Sequence, residues 1–160
     1  MADTSKKTII LFSGDMDKVL AAFVIANGAA AMGDEVTMFF TFWGLNALRK
    51  PEKQKTTDKT VLQKMFSMMM PRGPEKLTMS NMNFAGIGPK LMKKAMRQQN
   101  VYSIDEMIAI AKEQEIKMIA CTMSMDVMGL KAEELIDGLE FAGVASYLGE
   151  ADEANVNLFI

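Results

Sequence analysis

Histidine is absent from this chain of 160 residues, and cysteine occurs once, at position 121. The first absence excludes a Ser-His-Asp triad, a Cys-His dyad and every histidine-ligated metal site. The second excludes an intramolecular disulfide and zinc held by several thiolates, and it fits a reducing cytosol. What remains for nucleophilic chemistry is a thiol without a histidine base, or no catalysis at all. Long hydrophobic runs are also missing. No apolar stretch reaches about 18 residues without a charge or a Gly/Asn break, so a spanning helix is not expected. The nearest approach, VLAAFVIANGAAAMG at 19–33, is weakened by Asn27 and Gly28. The opening MADTSKKTII lacks the long apolar core and small-residue cleavage site of a secretory signal, so a cytoplasmic location is expected.

What is present has the balance of a soluble globular protein, with 49% hydrophobic and 24% charged residues. The length suits one ordinary domain, able to fold without a disulfide or structural metal. The net charge of −2 hides an asymmetry. Residues 49–97 carry twelve Lys/Arg and three acids, a net +9, which leaves −11 on the rest. That split suggests either a segment with its own partner or two regions that attract each other within an oligomer.

Along the chain, KTIILF at 7–12 reads as a fully buried strand of a parallel sheet. An Ala-rich helix follows from about Asp15 or Asp17, with Gly33 as its C′ residue. DEVTMFFTFWGL supplies a second strand at 35–42. The charged stretch 46–60 reads as an exposed linker or lid, 61–70 as a short helix and 77–88 as an irregular loop. A helix over 89–100 starts with Pro89 at N1 and carries Leu91, Met92, Ala95 and Met96 on one face. Ser103 and Glu106 form a capping box for a helix over 103–114. IKMIA at 116–120 is a buried strand with Cys121 at its carboxyl end, and TMSMDVMG is one or two helical turns closed by Gly129. A short strand near 139–141, a helix over 144–154 and a strand over 155–160 complete the chain. This alternation predicts an α/β fold with a mostly parallel sheet of about five strands.

Ligands of open α/β sheets bind beyond the carboxyl ends of the strands. Cys121 falls there, and so does the loop Ser13-Gly14-Asp15; if their strands are neighbours, the two face each other across one crevice. A thiol at a helix N-terminus meets the positive end of the dipole and free amides, which favour a thiolate or a persulfide anion. Asp126 in the same turn opposes this if it points at the sulfur. Thr122 and Ser124 flank the thiol as candidate pocket residues. Buried free cysteines also serve simply as core, so two readings stand for Cys121. The Ser13-Gly14-Asp15 loop lacks the spacing of a dinucleotide site and the lysine of a phosphate loop, and helix capping by Ser13 or Asp15 is its simpler role.

Residues 65–96 hold eight of the 17 methionines among many lysines. Such a surface suits an acidic partner or peripheral contact with an anionic membrane; the other reading buries the methionines against the sheet or a sister subunit. Copper(I) has no cysteine or histidine to help here, and no metal site is assigned. Nucleic acid is not an expected partner, because the basic segment offers few aromatics beyond Phe66 and Phe84.

The stretches IILFSGDMDKVLAAFVIANGAAAMGDEVTMFFTFWGL, MFSMMMPRGPEKL, IACTMSMDVMGL and GLEFAGVASYL resemble the DsrE/DsrF-like family, in its branch with a methionine-rich insertion. The resemblance spans nearly the whole chain. It implies a three-layer α/β/α sandwich of the Rossmann/flavodoxin-like kind, as one domain over 1–160 with a basic insertion at about 46–100. It also implies small homo-oligomers. Family members serve sulfur oxidation and sulfur relay, and a cysteine matching Cys121 carries sulfur as a persulfide between donor and acceptor proteins. Some members of the branch have a second cysteine; this chain has none. The resulting expectation is a sulfur carrier or sulfurtransferase working through Cys121 with no cofactor. Its rival is a non-catalytic binding or assembly module that docks through the Met-rich segment.

Overall fold

The computed structural model describes residues 4–160. β1 (Lys6–Leu11), β2 (Glu35–Phe40) and β3 (Lys117–Cys121) carry near-continuous apolar runs, which suit strands covered on both faces. β4 (Glu140–Ala142) and β5 (Val156–Phe159) are short and more exposed, as edge strands are. All five run parallel, in the order β4-β3-β2-β1-β5. The expected α/β fold with a sheet of about five strands is therefore present, and every strand pairing is parallel.

The helices are α1 (Met16–Ala31), α2 (Val61–Met69), α3 (Ile87–Gln98), α4 (Ile104–Glu113), α5 (Thr122–Met128) and α6 (Val144–Asp152). From β1 to β4 each step moves toward the same edge, so right-handed crossovers put α1, α4 and α5 on one face. The return from β4 to β5 crosses the whole sheet and puts α6 on the other. The buried side chains agree with this layering. Ile9, Leu11, Met38, Phe40 and Met118 pack with Val19, Phe23, Met107, Ile108 and Met125 in the main core. Phe39, Ile119 and Cys121, which point the opposite way along the pleat, pack with Tyr147 of α6. The third layer is thin: Tyr147 is the one residue of α6 that is buried.

Local signals explain several boundaries. Ser103 Oγ accepts from Glu106 N at 3.2 Å and Glu106 Oε2 accepts from Ser103 N at 2.7 Å, which starts α4. A second capping box, Thr60 with Gln63, starts α2. α3 begins at Ile87, two residues ahead of the expected start, and Pro89 still lies in the first turn, where no amide hydrogen is required. Its Leu91 and Met92 stay exposed, while Met96 is half-buried beside Met16 and Ile104, so the face expected to pack is covered only at one end.

Only the start of the stretch 46–60 departs from the exposed lid expected of it: residues 46–49 are buried, while 51–60 stay largely exposed. β2 ends at Phe40, and a 3-10 segment, Phe42–Leu48, tucks under the strand ends with Leu45, Ala47 and Leu48 fully buried. Asn46 and Arg49 are buried as well. Arg49 tolerates this because its guanidinium exchanges water for the carbonyls of Ser67, Met70 and Pro71 at 2.9, 3.2 and 3.1 Å. The Glu134 carboxylate lies 3.7 Å away. Charge counting along the sequence misses an arginine that reads as solvated but is enclosed by carbonyls from 20 residues on.

Arg49→Ala strands those carbonyls and removes a buried positive charge from Glu134. The expected loss is about 3 kcal/mol of unfolding free energy in urea titration. A loss under about 1 kcal/mol would show that solvent already reaches this cluster.

Candidate functional site

Cys121 is both the last residue of β3 and the N-cap of α5, at φ −70° and ψ 113°. The apolar run ends there because TMSMDVM turns the chain into a helix, and Gly129 at φ +70° closes that helix. A Cβ on Gly129 would meet Gln63 at 2.5 Å, so α2 lies directly on the end of α5. Gln63 Nε2 donates to the Asp126 carbonyl at 2.8 Å and ties the two helices together. The thiol is only 2% exposed. It packs with Phe39, Ile119 and Tyr147, with Ile10, Ala142 and Ala151 at the margin. In register it sits beside Ala142, one strand from the sheet edge.

The cover over Cys121 is α6, and few contacts hold that helix. The Tyr147 hydroxyl meets Thr8 Oγ1 at 3.1 Å, and Thr8 in turn donates to Asn157 Oδ1. The Tyr147 ring leans on Phe39 with centroids 5.2 Å apart. Lys117 donates to Glu150 at 2.6 Å, and Asn157 Nδ2 donates to the Ala151 carbonyl at 3.2 Å. The Glu150 hydrogen bond holds the Lys117 ammonium above the ordinary lysine value, desolvation works against it, and Glu140 at 3.6 Å adds to the rise.

The other residues singled out from the sequence divide. Ser124 is fully buried, and its hydroxyl meets Thr41 Oγ1 at 2.7 Å, joining the end of β2 to α5. Thr122 and Asp126 are exposed. The Ser13-Gly14-Asp15 loop does not lie beside Cys121 along the sheet. β2 stands between β1 and β3, which puts two interstrand spacings, about 10 Å, between the strands. Its groups are occupied locally: Ser13 Oγ accepts from Asp15 N at 3.1 Å, and Asp15 pairs with Lys18 at 3.1 Å. Asp15 is the N-cap of α1, but its side chain makes no capping bond. Gly14 is needed for close packing, since a Cβ there would meet the Trp43 carbonyl at 2.8 Å.

Sequence reasoning missed the side chains that cover the thiol. Tyr147, Phe39 and Ala142 come from three separate elements, and only strand order reveals that they meet. It also missed a charged cluster. Lys59 and Arg72 converge with Arg49 on Glu134, which sits in the unremarkable stretch LKAEEL. A cavity of about 450 Å³ opens there between the 53–59 stretch and α2. A second cavity, of about 290 Å³, lies where Met16, Glu75, Lys93 and Arg97 approach α4. Neither includes Cys121 or the Ser13-Gly14-Asp15 loop.

The five-stranded parallel sheet with helices on both faces places the chain among doubly wound α/β proteins. The sequence matches the DsrE/DsrF/DrsH-like family over residues 4–159, and the chain belongs to that family. It is 55% identical over 157 residues to the uncharacterized protein YrkE of Bacillus subtilis, covering 98% of each. It is 36% identical over 162 residues to the sulfur carrier protein DsrE2 of Allochromatium vinosum, covering 99% of each. The crystal structure of the ychN protein from E. coli shares the fold, with a TM-score of 0.55 at 14% identity, over 97% of this chain and 99% of that one. These relationships support a sulfur-relay role at the level of the family.

If α6 covers the thiol as a unit, Tyr147→Phe should cost about 1 kcal/mol in urea titration. The same change should speed alkylation of Cys121 in the folded protein several-fold. An unchanged alkylation rate at that stability cost would mean that α6 does not control access.

Proposed function

We propose that the protein is a sulfur carrier that holds sulfur on Cys121. The observation that carries this reading is the lone thiol at the β3–α5 junction of a chain closely related to a named sulfur carrier. Cys121 attacks, as its thiolate, the outer sulfur of a donor persulfide. The donor S–S bond breaks, a new S–S bond forms on Cys121, and the donor leaves as a thiolate. An acceptor thiolate then attacks the outer sulfur of the Cys121 persulfide, takes it, and restores the Cys121 thiolate. Sulfur moves without net oxidation, so neither step calls for a metal, an organic cofactor or a second cysteine. Donor and acceptor proteins are the partners this cycle requires.

The enclosed thiol requires an opening step. Local opening of lightly held elements is common in folded proteins, and α6 buries a single side chain. A displaced α6 presents Cys121 to a partner, and its return shields the persulfide from water and stray thiols. Ser124 positions the start of α5 through Thr41, and Thr122 follows the thiol as the exposed first residue of α5. Ser13, Gly14 and Asp15 brace α1 and are assigned no contact with the sulfur.

A second reading has its own support. α2 exposes Val61, Leu62, Met65, Phe66, Met68 and Met69, the last two at 73% and 76%. That face suits docking of a donor, an acceptor or a second copy of the chain, and methionine adapts well to such a surface. Within this reading residues 46–100 form an insertion in one domain, the chain assembles as a homo-oligomer in the cytoplasm, and any membrane contact is peripheral. Among the described residues no helix is long and apolar enough to cross a membrane.

Intact mass spectrometry tests the first reading. After exposure to a small-molecule persulfide the folded protein should gain one sulfur atom, then lose it to an acceptor thiol, and Cys121→Ser should gain none. No gain until the protein is denatured would make Cys121 a core residue. Salt-sensitive association that survives Cys121→Ser would then favour the docking module.

A further inference from the structure

Apart from the thiol, which lines neither cavity, the charge balance around Glu134 is incomplete. Glu134 Oε2 accepts from Lys59 Nζ at 2.6 Å and from Lys131 N at 2.9 Å. Its Oε1 faces Arg49 and Arg72, each at 3.7 Å. The side chains of Arg49, Lys59 and Glu134 are 0%, 4% and 2% exposed. One carboxylate thus serves three cations, two of them enclosed. The remaining partners of Arg49 are carbonyl dipoles, and its Nε is buried with no partner. Burial and the nearby Arg72 push the Arg49 guanidinium down to about 10, with Glu134 opposing, so it stays charged at neutral pH. Enclosed charge without a counter-charge is costly.

The cavity beside this cluster adds to the imbalance. Its lining includes Lys53, Lys55, Lys59, Lys64 and Arg72 against the single carboxylate of Glu134, a net of +4. Its volume of about 450 Å³ falls in the range of roughly 300–1,000 Å³ typical of ligand pockets. Lysines supply point charges and Arg72 a planar fork, the donor set that suits oxygen-rich anions. A monovalent ion leaves most of the excess charge in place.

We infer that this cavity binds a small tetrahedral oxyanion carrying two or more negative charges. Phosphate, sulfate and thiosulfate share that chemistry, whether free or borne on a small metabolite. The anion bridges the 53–59 stretch to α2. α2 in turn rests on α5 through Gln63, so occupancy should also tighten the α2–α5 contact. The site uses no atom of Cys121 and stands whether or not that residue carries sulfur.

The test uses the full chain and Cys121→Ser, titrated calorimetrically with phosphate, a phosphate monoester, sulfate and thiosulfate against chloride at constant ionic strength. Saturable binding of at least one oxyanion is expected in both proteins, with amide-exchange protection gained within 53–72. Lys53→Gln combined with Lys55→Gln and Lys64→Gln should weaken it about tenfold or more. Lys90→Gln with Lys94→Gln on α3 should leave it within about twofold. If a bare phosphate fails where a phosphate monoester binds, the ligand is the metabolite form. Flat titrations with all of these, or equal loss in the α3 variant, overturn the proposal and leave an acidic partner chain as the counter-charge.

Discussion

Strand order is the constraint on which the rest of the molecule depends. β1, β2, β3 and β4 are laid down toward one edge, and β5 returns to the far side of β1. With right-handed crossovers, three helices must cover one face and a single helix the other. The first face builds the main core. The second is left to the nine residues of α6, which reach the sheet through Tyr147. Cys121 points into this thin side because it shares its parity along β3 with Ile119 and not with Met118 or Ala120. A shift of one residue in β3 would bury the same thiol under α1 and α4, beyond the reach of any partner. The sulfur chemistry proposed for Cys121 thus falls on the thin side of the sheet.

The long crossover from β2 to β3 is organised differently. Its two ends pack into the main core through Leu45, Leu48, Met107 and Ile108, whereas its middle, around α2, is held by charge and carbonyls. Arg49 collects the backbone carbonyls at the end of α2, and Glu134 draws in Arg49, Lys59 and Arg72. This anchor leaves the apolar residues of α2 pointing outward, which is why the methionines neither pack on the sheet nor line a core. Met70 and Leu77 are buried, and Met79 packs against the core, where the chain re-enters the body of the protein.

Much of the fold was legible in the sequence because a parallel sheet writes itself as apolar runs. KTIILF, the 35–40 stretch and KMIAC each become a strand, and the Ser103–Glu106 box marks α4. The position of Cys121 at a strand end followed by a helix was legible for the same reason. What was not legible depends on order and distance. Nothing in SGD or IACT shows that β2 separates them, and nothing in SYL shows that Tyr147 lies over the thiol. Asn46 to Arg49 read as solvent-exposed because their partners, Ser67 to Pro71 and Glu134, are distant in sequence. The apolar pattern of α3 was seen, but a pattern tells which side is apolar and not whether anything within the chain covers it.

The central claim is that Cys121 becomes accessible through movement of α6 while the sheet stays folded. Its most direct test is the alkylation rate of Cys121 in wild-type protein as a function of urea well below the unfolding transition. Local opening exposes little surface, so the account predicts a rate nearly independent of urea in that range, far above the rate set by global unfolding. A rate that rises with the full urea dependence of global unfolding would contradict it, placing Cys121 in the core and removing the basis for sulfur transfer at this residue.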